Sequence, residues 1–136
     1  MVGLGGPRMP LFGRQRFEDA EFLLDVERTT AAVYLAGYSV ECMLKAVIIS
    51  VVPRPQEAAV LALFPGARTH DYGCLLQLYA ERGGPGLPPN LVPHLARVNT
   101  WSTDMRYSPG TIALRDAKAF LDSSVEILTG ADGRLS

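Results

Sequence analysis

Residues 29–52 read TTAAVYLAGYSVECMLKAVIISVV, an almost wholly apolar run whose only charges are Glu41 and Lys45. Four residues apart, those two share one face of a helix and can pair there. At about 1.5 Å per residue, a helix of this length reaches roughly 36 Å, enough to cross a bilayer or to run the length of a small domain. Energies decide between the two. The Leu, Ile, Val and Met side chains each favour insertion by about a few tenths of a kcal/mol, whereas a Glu and a Lys near the midpoint cost roughly 2.5 to 3.5 kcal/mol each. The balance is near zero or unfavourable. Single arginines on either side, Arg28 and Arg54, set no orientation. The run is therefore read as a helix buried on nearly all sides of a helical bundle, with no membrane span.

Composition agrees. A chain of 136 residues forms one domain with a core that needs no staples. Its 48% apolar content predicts exposed apolar surface, which self-association would cover. A net charge of −1 provides no global field for nucleic acid, so any RNA contact would be local. Cys42 and Cys74 fall inside apolar helical patterns, where free thiols behave as small hydrophobes, and they imply no disulfide framework. The opening stretch MVGLGGPRMPLFG, residues 1–13, lacks a continuous apolar segment of signal-peptide length and reads as a flexible arm of a cytoplasmic protein.

Working outward, residues 14–28 place Phe17, Ala20, Leu23 or Leu24 and Glu27 along one stripe and Glu18, Glu21 and Asp25 along another, an amphipathic helix with an acidic face. Pro53 and Pro55 end the long helix, and QEAAVLALF, residues 56–64, makes two further turns before Pro65-Gly66. From Asp71, the spacing of Tyr72, Leu75, Leu76 and Tyr79 predicts a helix closed by Gly83-Gly84. Asn90 is placed as an N-cap with Pro93 in the first turn of a helix that buries Leu91, Leu95 and Val98 and ends at Ser108-Pro109-Gly110. Thr111 caps a last helix burying Leu114, Ala117, Leu121, Val125 and Leu128, with Gly130 at its C-terminus and a tail over 130–136. No strand pattern of useful length occurs. The expected fold is all-α: a four- to five-helix up-and-down bundle forming one domain over residues 14–129.

Three polar groups stand out against this apolar frame. At 100° per residue, Tyr34, Tyr38, Glu41 and Lys45 fall on one line of the long helix. Such a stripe either fixes bundle register at a dimer seam or faces a groove and binds a polar ligand. His70-Asp71 reads first as an N-cap and its neighbour. The segment Trp101-Ser-Thr-Asp104-Met-Arg106-Tyr107 sets a guanidinium beside aromatic rings, useful for a phosphate or a base, and Arg97 lies one turn before Trp101. Metal-ligand spacing is absent, since His94 is the only other histidine and there is no Cys-x-x-Cys or His-Glu-x-x-His.

Together, YLAGYSVECMLKAVI, then THDYGCLLQL, then WSTDMRYSPG resemble, in that order, the HEPN domain family, named for nucleotide binding in prokaryotes and higher eukaryotes; the resemblance covers roughly residues 14 to 128. It implies a helical bundle that works as a homodimer. Some members are metal-independent ribonucleases, many of them toxins or antiviral effectors, with an Arg followed after four to six residues by a His. Others are non-catalytic partners of a minimal nucleotidyltransferase in toxin-antitoxin-like systems. Here Arg68 lies only two residues before His70 and Arg82 twelve before His94, so the ribonuclease spacing is missing. In-line cleavage needs a group titrating near neutrality beside a cation, so its loss is mechanistic.

The resemblance thus implies a binding or regulatory homodimer with no catalytic residue and no cofactor. Its expected partners are a nucleotide, RNA or a minimal nucleotidyltransferase. The candidate surface comprises Tyr34, Tyr38, Glu41, Lys45, His70, Asp71, Trp101, Asp104, Arg106 and Tyr107. An atypical ribonuclease and a purely structural helical dimer are the competing expectations.

Overall fold

The computed structural model describes residues 5–64, 72–100 and 112–135. Among them the chain is all-helical: α1 (Gly5–Asp25), α2 (Thr29–Ser50), α3 (Glu57–Leu61), α4 (Tyr72–Glu81), α5 (Val92–Thr100) and α6 (Leu114–Leu135). That is six helices, against the four or five expected. α2 lies at the centre and packs on α1, α6, α4 and α3.

The expected amphipathic helix is α1, which begins at Gly5, earlier than the Arg14 that the periodicity predicts. Phe17 and Ala20 are buried while Glu18, Glu21 and Asp25 face solvent. Gly13 lets α1 approach α2 closely, because a Cβ there would lie 3.2 Å from the Ser39 carbonyl oxygen. With Gly13 beside Ser39 and the two helices joined at residues 26–28, they run antiparallel.

The α1–α2 turn is closed by two bonds, from the Arg28 amide to the Leu23 carbonyl at 2.8 Å and from the Glu27 amide to the Leu24 carbonyl at 2.9 Å. This is the Schellman pattern, but its left-handed position is held by Glu27, with φ +59. The end of α4 repeats the motif with glycine: Gly84 donates to Tyr79 at 2.9 Å and Gly83, φ +85, donates to Ala80 at 3.1 Å. Gly83-Gly84 therefore closes α4 as the sequence predicts.

By length and composition α2 could cross a membrane, yet 78% of its most apolar window is buried inside the bundle. Val33, Val40, Met43 and Ile48 are each at most 1% exposed. Packing therefore accounts for the apolarity. Tyr72 ties α4 to this helix, its hydroxyl donating to the Gly37 carbonyl at 2.6 Å. The Tyr72 amide donates to Asn99 Oδ1 at 3.1 Å, so α5 supplies a terminating acceptor for α4.

Three expectations about the last two helices are corrected. Asn90 lies in a 3-10 turn, Pro89–Leu91, instead of acting as the N-cap of α5, although Pro93 does fall in the first turn. Gly130 does not end α6, which continues to Leu135 through most of the supposed tail; its missing Cβ makes room for Leu91, whose Cδ1 would lie 2.6 Å from one. Val125 is 40% exposed, and the buried face instead runs through Ala117, Phe120, Leu121, Ser124, Ile127, Leu128 and Ala131. A helix touching both α2 and α5 buries a wide stripe, and after Leu121 that stripe steps by three to the small polar Ser124, which apolarity alone passes over for Val125.

Candidate functional site at the outer end of the central helix

The stripe on α2 changes character along its length. Tyr34 is 48% exposed and Tyr38 37%, whereas Glu41 is 5% exposed and Ile48 1%. This one face of the helix is exposed towards its N-terminal end, while Ala32, Val33 and Ala36 on its other faces are buried, and it sinks into the core beyond Tyr38. Two phenols thus stand at the surface, and two charges lie beneath it.

The buried charges satisfy each other. Lys45 Nζ donates to Glu41 Oε2 at 2.8 Å, with both side chains largely withdrawn from water. The same ammonium sits 5.3 Å from the centroid of the Phe64 ring, a cation–π contact that ties the end of the α3 region to α2. Desolvating two charges costs several kcal/mol per ion, which a short hydrogen bond and an aromatic face offset only in part. The pair therefore specifies how these elements meet more than it adds stability.

Where the inner half meets the outer one, Cys42 is buried next to Glu41 and, one turn beyond Tyr38, is hydrogen-bonded to that phenol. Burial pushes the Cys42 thiol up, and the Glu41 carboxylate adds to the shift. Burial also raises the Tyr38 phenol, followed by the influence of Cys42. Arg16, across the seam on α1, opposes both shifts. A thiol held neutral and covered is no nucleophile.

Tyr34 opens onto a cleft of about 660 Å³ lined by Glu27, Arg28, Thr29, Thr30, Ala31 and Leu35. The α1–α2 turn forms one wall and the first turns of α2 the other. Thr29 and Thr30 also hold the lead-in to α6: Thr29 Oγ1 donates to the Ile112 carbonyl at 2.6 Å, and the Ile112 amide donates to Thr30 Oγ1 at 3.4 Å. Aromatic face, guanidinium and hydroxyls thus border one hollow of ligand size.

Of the residues singled out from sequence, the structure brings Tyr34, Tyr38, Glu41 and Lys45 onto one face. His70, Asp71, Trp101, Asp104, Arg106 and Tyr107 lie outside the described residues, as do the Thr111 cap and the Ser108-Pro109-Gly110 stop. His94 Nδ1 is 3.0 Å from Ser123 Oγ, which also accepts from Arg97 at 3.4 Å. Ser123 is 1% exposed, so this is a packing contact between α5 and α6 and not an activated nucleophile. Among the described residues, no three His, Cys, Asp or Glu side chains are grouped to hold a metal ion.

Sequence reasoning missed Glu27, Arg28, Thr29 and Thr30 as lining residues. Arg28 registered only as the flank of an apolar run, because its role depends on a turn marked by neither Gly nor Pro. No family model matches this chain, and no curated protein or solved structure matches it.

Proposed function

We propose that this protein is a non-catalytic, HEPN-like binding or regulatory module, a cytoplasmic homodimer that receives a nucleotide at the outer end of α2. It would work beside a minimal nucleotidyltransferase in a toxin-antitoxin-like system. The observation that carries the reading is the cleft that Tyr34 shares with Arg28. Its volume of about 660 Å³ falls within the range of small-molecule sites. A tyrosine ring offers a stacking face for a base, a guanidinium pairs with phosphate, and the exposed Thr30 hydroxyl, which only accepts from the Ile112 amide, can donate to a sugar or phosphate oxygen. Glu27, in the left-handed region at the cleft wall, is local strain of a kind that collects at binding sites.

The test is calorimetric titration with ATP as probe. Wild type binds, and Tyr34→Ala and Arg28→Ala each weaken binding about tenfold or more, the loss of about 1.4 kcal/mol expected of one stacking or charge-assisted contact. Affinity unchanged in both variants would overturn the proposal.

A second reading draws on the inner half of the stripe. If the protein is a structural helical dimer with no ligand, the Glu41–Lys45 pair serves only register, and Glu41→Gln with Lys45→Met retains or improves stability while ATP does not bind wild type at all. An atypical ribonuclease gains no support from His94, which is engaged with Ser123.

A further inference from the structure

The solvent face of α1 combines features that the fold itself does not use. Phe22 is 67% exposed, the largest fraction of any large apolar side chain among the described residues, and Val26 on the next turn is 53% exposed. At 100° per residue, Glu18, Asp25 and Val26 lie within about 60° of Phe22, with Glu21 at the edge of the same face. Asp19 pairs with Arg16 at 3.0 Å, whereas among the described residues no ion pair includes Glu18, Glu21 or Asp25.

These carboxylates work against the helix that carries them. Glu18 with Glu21, and Glu21 with Asp25, are like-charge neighbours at helical spacing, which is unfavourable. Asp25 closes α1 at the negative end of its dipole, and the last turn has no basic residue. Two exposed apolar side chains inside an acidic rim, kept at a local cost with no internal gain, mark a contact surface.

Charge selects the occupant. A second copy meeting this face symmetrically would set carboxylates against carboxylates, and a nucleic acid would be repelled. We infer that the face formed by Phe22 of α1 and Val26 just beyond its end docks a partner protein through an amphipathic helix whose Lys or Arg residues flank an aliphatic or aromatic anchor. The inference stands on α1 and is independent of the Tyr34 cleft.

Fluorescence anisotropy tests it with a labelled Leu/Lys amphipathic peptide of about 18 residues, five helical turns, and its Leu/Glu counterpart. Wild type binds the Leu/Lys peptide. Phe22→Ser weakens binding at least about tenfold with the charges intact, and the triple variant Glu18→Lys, Glu21→Lys, Asp25→Lys transfers binding to the Leu/Glu peptide. ATP affinity stays unchanged in Phe22→Ser, which separates this surface from the cleft. Should Phe22→Ser lose helical circular dichroism, Val26→Ser takes its place.

The inference is overturned if wild type ignores the Leu/Lys peptide or if reversal of the charges does not move the preference. It is equally overturned if poly-Lys without leucine binds as tightly, since charge alone would then suffice. Sedimentation showing a wild-type dimer that Phe22→Ser dissociates would assign the face to a second copy and overturn it too.

Discussion

The outer and inner ends of α2 belong to one helix and one line of side chains, yet they meet different surroundings. Tyr34 opens beside the α1–α2 turn and Tyr38 stands at the surface one turn further on, whereas Glu41 and Lys45 are largely withdrawn from water, the ammonium against Phe64. Polar residues on an apolar helix can therefore serve two purposes at once. Buried, they constrain how helices meet; exposed, they are available for recognition. Sequence spacing puts all four on one line, and only burial separates them.

The largest effect should come from breaking the inner end. Lys45→Met leaves the Glu41 carboxylate buried without its ammonium and should cost about 3 kcal/mol in urea unfolding, while the double variant with Glu41→Gln should return to within about 1 kcal/mol of wild type. A single variant as stable as wild type would move the pair to the surface side of the comparison. Next is the tie that holds α4 against the middle of α2. Tyr72→Phe removes the bond to the Gly37 carbonyl and should cost about 1 kcal/mol.

The turn that frames the outer end offers a gain. Glu27 occupies the left-handed conformation that Gly83 occupies at the end of α4, so Glu27→Gly should raise stability by about 1 kcal/mol. Lower stability in the same unfolding assay would show that the Glu27 side chain contributes more than its backbone costs.

How much of this was legible follows from the same contrast. The apolar run, its end before Pro53 and the close of α4 at Gly83-Gly84 were readable because local periodicity and turn chemistry agree there with the fold. The end of α1 was not, because Glu27 adopts a glycine conformation without being one. Asn99 could not be matched to the amide of Tyr72, 27 residues away, before the fold joined them. Gly130 looked like a stop because its purpose, room for Leu91, depends on another element. The stripe was visible as a stripe, but its division into buried and exposed halves is a property of the tertiary packing.

The smallest effect concerns the boundary residue, Cys42. Burial raises its thiol above the ordinary value of 9.0, so the folded state holds the proton to higher pH than the unfolded chain. That contribution to stability is full below about 9 and is lost as pH rises through the folded value. Iodoacetamide at pH 8 should label Cys42 at least about tenfold more slowly in native protein than in urea. Equal rates would place the boundary at the surface.

The division of α2 is tested most directly by measuring ATP affinity side by side in Tyr34→Ala and in the Glu41→Gln, Lys45→Met double variant. Affinity should fall about tenfold or more in the first and remain within about twofold of wild type in the second. Binding that survives Tyr34→Ala and collapses in the double variant would contradict the account, because the inner charges, and not the outer aromatic surface, would then hold the ligand.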